Sequence, residues 1–244
     1  MRLFAGYSGL HENYKFRNMR ARMQSLTEKV FHLAPPGGVF CGTVIRNLFP
    51  DVSDGARLLL VHRAVTANEI IRLKPGLFVL APPYRKNEPH PFAIAGMLYG
   101  VSHVSIESAL AFHGLIPEAV FQVGSVSIDR AKTFSTPIGV FSYHRVPLRE
   151  PRAGVEAIKL PDGFWAFVAT PLRAIADLVY LRKDVTWEGD GLDFITESLR
   201  VEESDLLKIK PAMLNKLIAQ FTDKRVIDYL TGLKEVLHHA DRCA

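Results

Sequence analysis

Cysteine is scarce: Cys41 and Cys243 are the only two in 244 residues. Two thiols cannot build a disulfide framework, and these lack the spacing of metal ligands. Such usage points to a cytoplasmic protein with reduced thiols. Long apolar runs are also missing. Leu58-Leu59-Leu60-Val61 is four residues, against the ~18–20 that cross a bilayer, so no membrane contact is expected. The basic N-terminus has no apolar segment ahead of a small-residue cleavage site, which argues against a signal peptide. Met19 and Met23 are alternative starts to Met1. There is no glycine-rich phosphate loop of either common type.

Acidic residues are short in one region only. The composition, 48% hydrophobic and 23% charged, is ordinary for a globular chain and too apolar for a disordered one. At ~150 residues per domain the length fits one large domain or two small ones. The formal charge is +5, but it is unevenly spread. Proline and polar residues cluster over Ala81–Pro91 and suggest a division there. Residues 1–90 hold 13 Lys and Arg against 6 Asp and Glu, a surplus of +7. Residues 91–244 hold 17 against 19, a balance of −2. A small basic module ahead of a slightly acidic one is an electrostatic hint of nucleic-acid contact.

Local signals in the first module are dense. Residues 1–20 carry Arg2, Lys15, Arg17 and Arg20 without periodicity, and the stretch over 1–24 reads as a basic arm. Ser25-Leu26-Thr27-Glu28 fits a capping box, and Leu26, Val30, Phe31 and Leu33 follow at helical spacing. Pro35-Pro36-Gly37-Gly38 should stop that helix. Val39-Phe40 reads as a short strand and Thr43–Phe49 as a second helix that Pro50 ends. Ser53 is an N-cap with Asp54 in the first turn, opening a helix to about Ala67. Leu58, Val61 and Val65 should form its buried stripe, with Arg57 and Arg63 exposed and His62 near the edge. Ile70–Leu73 and Leu77–Leu80, joined by Lys74-Pro75-Gly76, read as a hairpin with a type II turn.

Helices followed by a hairpin are the order of a winged helix-turn-helix, whose third helix enters the major groove. The reading therefore gives Arg57, Arg63 and His62 base-edge or phosphate roles. Ser53 at the start of that helix and Arg72 on the wing are further DNA contacts, and Lys74 and Arg46 reach phosphates. The partner is double-stranded DNA, bound by one chain or by a homodimer.

The second module reads as α/β with a helical tail. Pro91 suits a first helical turn, Val101–Val104 is extended, and Ser105 caps a helix over Ile106–Phe112 that Gly114 ends. Val120–Ile128 and Val140–Val146 are β-rich. Glu156–Leu160 and Phe164–Ala169, around Pro161-Asp162-Gly163, form a hairpin. Thr170-Pro171 opens a helix with Leu172, Ile175, Ala176, Leu178 and Val179 inward. Beyond Trp187 the pattern is helical, over Leu192–Leu199, Ser204–Ile209, Ala212–Phe221 and Arg225–Ala240, with Ser204 and Asp223 as caps or near-caps.

No catalytic signature emerges from this module. Ser102, His103, Ser105 and His113 invite a nucleophile–base reading, but no acidic partner or oxyanion loop lies nearby in sequence. Caps and a partly buried histidine explain them better. His238-His239, with Glu235 the closest candidate ligand, is not read as a metal site. Asp190 and Asp193 lie close together without the strand context of a nucleotidyltransferase. Glu156 and Asp162 are a carboxylate pair near Lys159, but the lysine is one residue too far for a nuclease strand and the aspartate follows it. No catalytic residue, metal or cofactor is assigned. A nuclease-like nucleic-acid-processing enzyme with a winged-helix targeting domain remains the alternative.

Three segments carry a family resemblance. Arg72-Leu73-Lys74-Pro75-Gly76-Leu77-Phe78 resembles the wing of the AbiEi-type antitoxin and transcriptional regulator family. Ser102-His103-Val104-Ser105 with Ala109 and His113-Gly114-Leu115 resembles a second family segment, with an insertion-like shift. Thr170-Pro171-Leu172-Arg173-Ala174-Ile175-Ala176-Asp177-Leu178 resembles a third, with Ala174 where threonine is usual. The resemblance covers about residues 25–185. It implies a type IV toxin–antitoxin system. The antitoxin's winged helix represses its own operon, and its larger domain counteracts a nucleotidyltransferase toxin, functionally and without necessary direct contact. The resemblance implies no enzyme activity in this chain. The expected fold is α+β: an arm over 1–24, a winged helix-turn-helix over 25–82, and an α/β antitoxin domain over 90–244.

Overall fold

A computed structural model describes residues 26–117, 122–209 and 214–243, with side chains to 239. The fold is mixed α+β, with a three-stranded and a six-stranded sheet among the described residues. The chain divides into two compact units between Pro89 and His90. The expected arm over 1–24 and the Ser25 end of the capping box lie outside the described residues.

In the first unit the order is α1 (Leu26–Leu33), β1 (Val39–Cys41), α2 (Gly42–Leu48), α3 (Asp54–Thr66), β2 (Ile70–Lys74) and β3 (Leu77–Leu80). The sheet order is β1-β3-β2, antiparallel throughout. Pro35 and Pro36 lack amide donors, so α1 stops before them and one short 3-10 turn leads into β1. Ser53 caps α3, accepting the Ala56 amide at 3.3 Å. Gly76 takes φ of +79° after Pro75, the conformation a Pro-Gly turn needs and an L side chain resists.

Leu26, Val30, Phe40, Ile45, Val61, Ala64, Ile70, Phe78 and Leu80 make one core cluster. The stripe of α3 is displaced from the expected one. Val61 and Ala64 are buried with Leu60 and Val65 packed beside them, whereas Leu58 is 68% exposed. The i, i+3 rule links Leu58 to Val61, but the buried stripe continues from Val61 to Ala64 instead, the next i, i+3 step toward the C-terminus. Thr27 and Glu69 are buried polar groups in this core, and the Thr27 hydroxyl donates to the Glu69 carboxylate at 2.8 Å.

The second unit runs α4 (Pro91–Leu98), β4 (Ser102–Val104), α5 (Ile106–Phe112), β5 (Gln122–Ser127), β6 (Lys132–Thr136), β7 (Gly139–Arg145), β8 (Val155–Lys159), β9 (Trp165–Ala169) and α6 (Pro171–Leu181). Short helices α7 (Trp187–Asp190), α8 (Glu203–Leu206) and α9 (Leu214–Ile218) follow, then α10 (Lys224–Cys243). The sheet order is β6-β7-β5-β4-β9-β8. Strand β4 pairs antiparallel with β5 and parallel with β9, and β5 pairs parallel with β7. Helix α4 packs on β4, β5 and β9, α5 packs on β5 and α6, and α10 packs on α6, α7 and α9.

Thr170 caps α6 through the Arg173 amide at 3.4 Å, with Pro171 at its first position. All five expected inward residues of α6 are buried, and so are Arg173 and Asp177. Strand β6, absent from the expected elements, is half-exposed and rich in Thr and Ser. It pairs only with β7, so an edge position lets it form without an apolar stripe. Leu192–Leu199 is not an α-helix but a π-helical turn over Phe194–Ser198. Ser204 lies inside α8, whose N-cap is Glu202. Asp223 accepts the Arg225 amide at 3.1 Å at the start of α10. Expected strand residues Val120 and Phe121 and expected helix residues Ala212 and Met213 lie outside the described residues. Among the described residues, no helix is long and apolar enough to cross a membrane.

Candidate nucleic-acid interface

Three basic residues of the first unit, Arg46, Arg57 and Arg72, line one groove of about 390 Å³, together with Asp54. Its walls are α2, from Gly42 to Arg46 in its last turn, the first half of α3 with Arg57 and Leu58, and the hairpin with Arg72, Pro75 and Gly76. The Gly42 amide at the start of α2 donates to the Gly76 carbonyl at 2.9 Å, so the hairpin tip is held beside that helix. The register of β2 against β3 shifts between Arg72 and Lys74. A bulge of this kind re-aims the flanking side chains. It leaves Leu73 buried and Arg72 exposed, with the Arg72 guanidinium 5.7 Å from the Phe78 ring centre.

The seven expected contact residues separate into groups. Arg46, His62, Arg63 and Arg72 are exposed. Lys74 is half-buried on the hairpin. Ser53 is exposed, with its oxygen engaged as the cap of α3. Arg57 departs from the expected exposure: its side chain is 16% exposed. Its Nε donates to the Phe49 carbonyl at 2.9 Å, Nη2 to the Pro50 carbonyl at 2.9 Å and Nη1 to Asp54 at 2.7 Å. Those carbonyls end α2 and form the turn into α3, where the Phe49 carbonyl also accepts the Val52 amide at 3.3 Å. Lys29 Nζ donates to the neighbouring Leu48 carbonyl at 3.0 Å and sits over the Phe49 ring. Arg57 and Lys29 therefore fasten the helix–helix turn, and Leu58 joins the exposed face in place of Arg57.

The second unit holds a buried polar cluster that the sequence reading divided among unrelated roles. Ser105 stands at the N-cap of α5 but makes no cap bond. Ile106, the next residue, has φ of +49°, a strained value for a β-branched side chain. The Ser105 hydroxyl donates instead to Asp177 Oδ2 at 2.7 Å, and Arg173 Nε donates to both Asp177 oxygens at 2.9 and 3.0 Å. His103 Nε2 lies 3.7 Å from the same carboxylate. An acidic partner for Ser105 and His103 thus exists, 72 residues on in the sequence. Burial works to raise the Asp177 pKa, but Arg173, His103 and Ser105 outweigh it and hold the carboxyl below its ordinary value. Burial lowers the His103 pKa, against the pull of Asp177.

None of this assembles a nucleophile. Ser105 and Asp177 are wholly buried, and His113 is turned away, its Nε2 at 2.8 Å from the Ala169 carbonyl. Asp162 is held by the His90 and Phe164 amides at 2.7 and 3.1 Å, and Glu156 lies on β8. Asp190 accepts the Thr186 amide at 2.9 Å in α7. Among the described residues no group of three or more His, Cys, Asp or Glu is arranged to hold a metal ion. No protein-family model matches the sequence, and no curated protein matches it either.

Proposed function

We propose that the first unit is a winged helix-turn-helix that binds double-stranded operator DNA, and that the chain is an autorepressing antitoxin of type IV. One observation carries the reading. The order α1-β1-α2-α3-β2-β3 folds around a groove flanked by Arg46 and Arg72, in a stretch, residues 26–90, that holds 8 Lys and Arg against 5 Asp and Glu, a surplus of +3. In this reading α3 enters the major groove and the β2–β3 hairpin is the wing. Arg63 and His62 face base edges, Arg46, Arg72 and Lys74 face phosphates, and Leu58 meets thymine methyl groups. Arg57 and Ser53 hold the turn and the start of the recognition helix rather than touching DNA. The three segments that resemble AbiEi-type antitoxins support the second half of the reading. In it, the unit from His90 counteracts a nucleotidyltransferase toxin encoded beside this chain.

A gel shift with the chain's own upstream DNA tests the first half. Salt-sensitive binding at submicromolar protein is expected, and its absence at low salt sinks the reading. Co-expression with a neighbouring nucleotidyltransferase frame tests the second half. Rescue of growth by the full chain is expected, and continued growth arrest removes the antitoxin role.

A further inference from the structure

We propose that the β8–β9 hairpin of the second unit is a stacking platform for single-stranded nucleic acid. The proposal is independent of the duplex-binding reading of the first unit.

Trp165 and Phe167 stand two residues apart on β9 and so share one face of the sheet. They are 62% and 47% exposed, large values for aromatic rings on a strand. The register places Lys159 directly opposite Trp165 and Ala157 directly opposite Phe167. Opposed residues share a face. A lysine thus stands beside one ring, and only a methyl group beside the other. The Arg152 guanidinium carbon lies 3.8 Å from the Phe167 ring centre, with Nη1 donating to the Ser102 carbonyl at 3.4 Å.

Beside the two rings opens a groove of about 180 Å³, whose far wall carries Phe92 and Met97. Gly96 and Gly100 widen it, since a side-chain carbon at either would meet nothing within 4 Å. The carboxylates of the hairpin are withheld from this face. Asp162 is bonded to two backbone amides, and Glu156 opposes Val168 on the other side of the strands.

Rings two apart on a strand, flanked by cations and free of facing carboxylates, match an unpaired nucleic acid strand. One base lies on the Trp165 ring and the next on the Phe167–Arg152 stack, with the phosphates running past Lys159. A duplex cannot use these rings, because its bases are already stacked on each other.

The test uses the full chain and fluorescein-labelled oligo(U) and oligo(dT) of ~12 nucleotides, a length within the usual site size. Quenching of tryptophan emission on addition of either oligonucleotide is expected. By anisotropy, Trp165→Ala and Phe167→Ala should each weaken binding about tenfold, while Trp165→Phe stays within about threefold of the parent chain. Lys159→Ala should lower the salt dependence. Melting curves of the variants control for folding, which these exposed positions should leave unchanged. Comparing the two oligonucleotides shows whether the ribose hydroxyl contributes. Absence of binding by both at low salt overturns the proposal. So does binding that survives both alanine variants but is lost in Arg63→Ala and Arg72→Ala. Self-association that depends on Trp165, without oligonucleotide binding, assigns the face to a protein contact and also overturns it.

Discussion

Arg173 donates through Nε to both carboxylate oxygens of Asp177, at 2.9 and 3.0 Å, where neither side chain reaches solvent. The two residues are one helical turn apart on α6, so the pair could have been local. It is not. Arg173 also donates from Nη1 to the Ala153 carbonyl at 2.6 Å, and Asp177 takes the Ser105 hydroxyl from the junction of β4 and α5. The pair therefore ties the chain before β8 and the start of α5 to a single helix.

Breaking that pair from one side should be costly. Asp177→Asn leaves the Arg173 charge buried without its counterion, and such losses run to about 3–5 kcal/mol. Replacing both members, Arg173→Met with Asp177→Leu, removes the two charges together and should cost clearly less than the sum of the single changes. Urea unfolding of the four chains reads this directly. Additive losses would show that the two side chains act separately.

Acid should loosen the second unit before it affects much else. His103 has a folded pKa below its ordinary 6.5 because it is buried. The unfolded chain therefore binds its proton first, and stability falls as pH drops below about 6.5. One such histidine sets a slope of at most ~1.4 kcal/mol per pH unit. His90, lowered by partial burial against the pull of Asp162, acts in the same direction. The Asp177 carboxyl is also held low, so a second loss follows at pH below its ordinary value of 3.8. Melting temperature followed from pH 7 to 5 should fall, and His103→Gln should flatten that segment. A profile unchanged by the substitution would remove His103 as its source.

Arg57 and Arg63 lie six residues apart on α3 and should fail in different ways. Arg57→Ala removes the charged bonds to the Phe49 and Pro50 carbonyls and should cost about 1–3 kcal/mol in folding. Lysine at that position cannot restore three directed bonds. Arg63 is exposed, so Arg63→Ala should leave stability within ~0.5 kcal/mol while weakening operator binding. Chemical denaturation beside gel shifts separates the two. Equal stability of the two variants would contradict the geometry of the turn.

What could be read in advance was mostly local. Ser53, Thr170 and the Pro75-Gly76 turn announce themselves within four residues, because caps and turns are satisfied by near neighbours. Ser105 carries the same signal, yet its hydroxyl goes to Asp177, and nothing between them in sequence marks the link. Arg173 and Asp177 stand at i, i+4 among the inward residues of α6, but their partners Ala153 and Ser105 lie 20 and 72 residues away. Leu58 shows the same limit from the other side. Its spacing fits the buried stripe, but the stripe of α3 runs through Val61 and Ala64 and leaves Leu58 exposed. Trp165 and Phe167 fit a strand pattern, and only the finished sheet reveals which face stays open.

The wing and the recognition helix should contribute different kinds of energy to DNA binding. Arg46, Arg72 and Lys74 are assigned to phosphates, whose neutralisation releases counterions. Each alanine substitution there should weaken binding to every sequence alike. It should also lower the slope of log affinity against log salt by about one. Leu58 is assigned to thymine methyl groups, a contact that carries sequence information and no charge. Leu58→Ala should leave the salt slope unchanged and narrow the gap between operator and unrelated duplex. Operator in which uracil replaces thymine removes the methyl groups from the other side, and with it Leu58→Ala should have little further effect. If Leu58→Ala instead weakens operator and unrelated duplex equally, the exposed leucine takes no part in reading bases. The face of α3 that enters the groove must then be sought around Arg63.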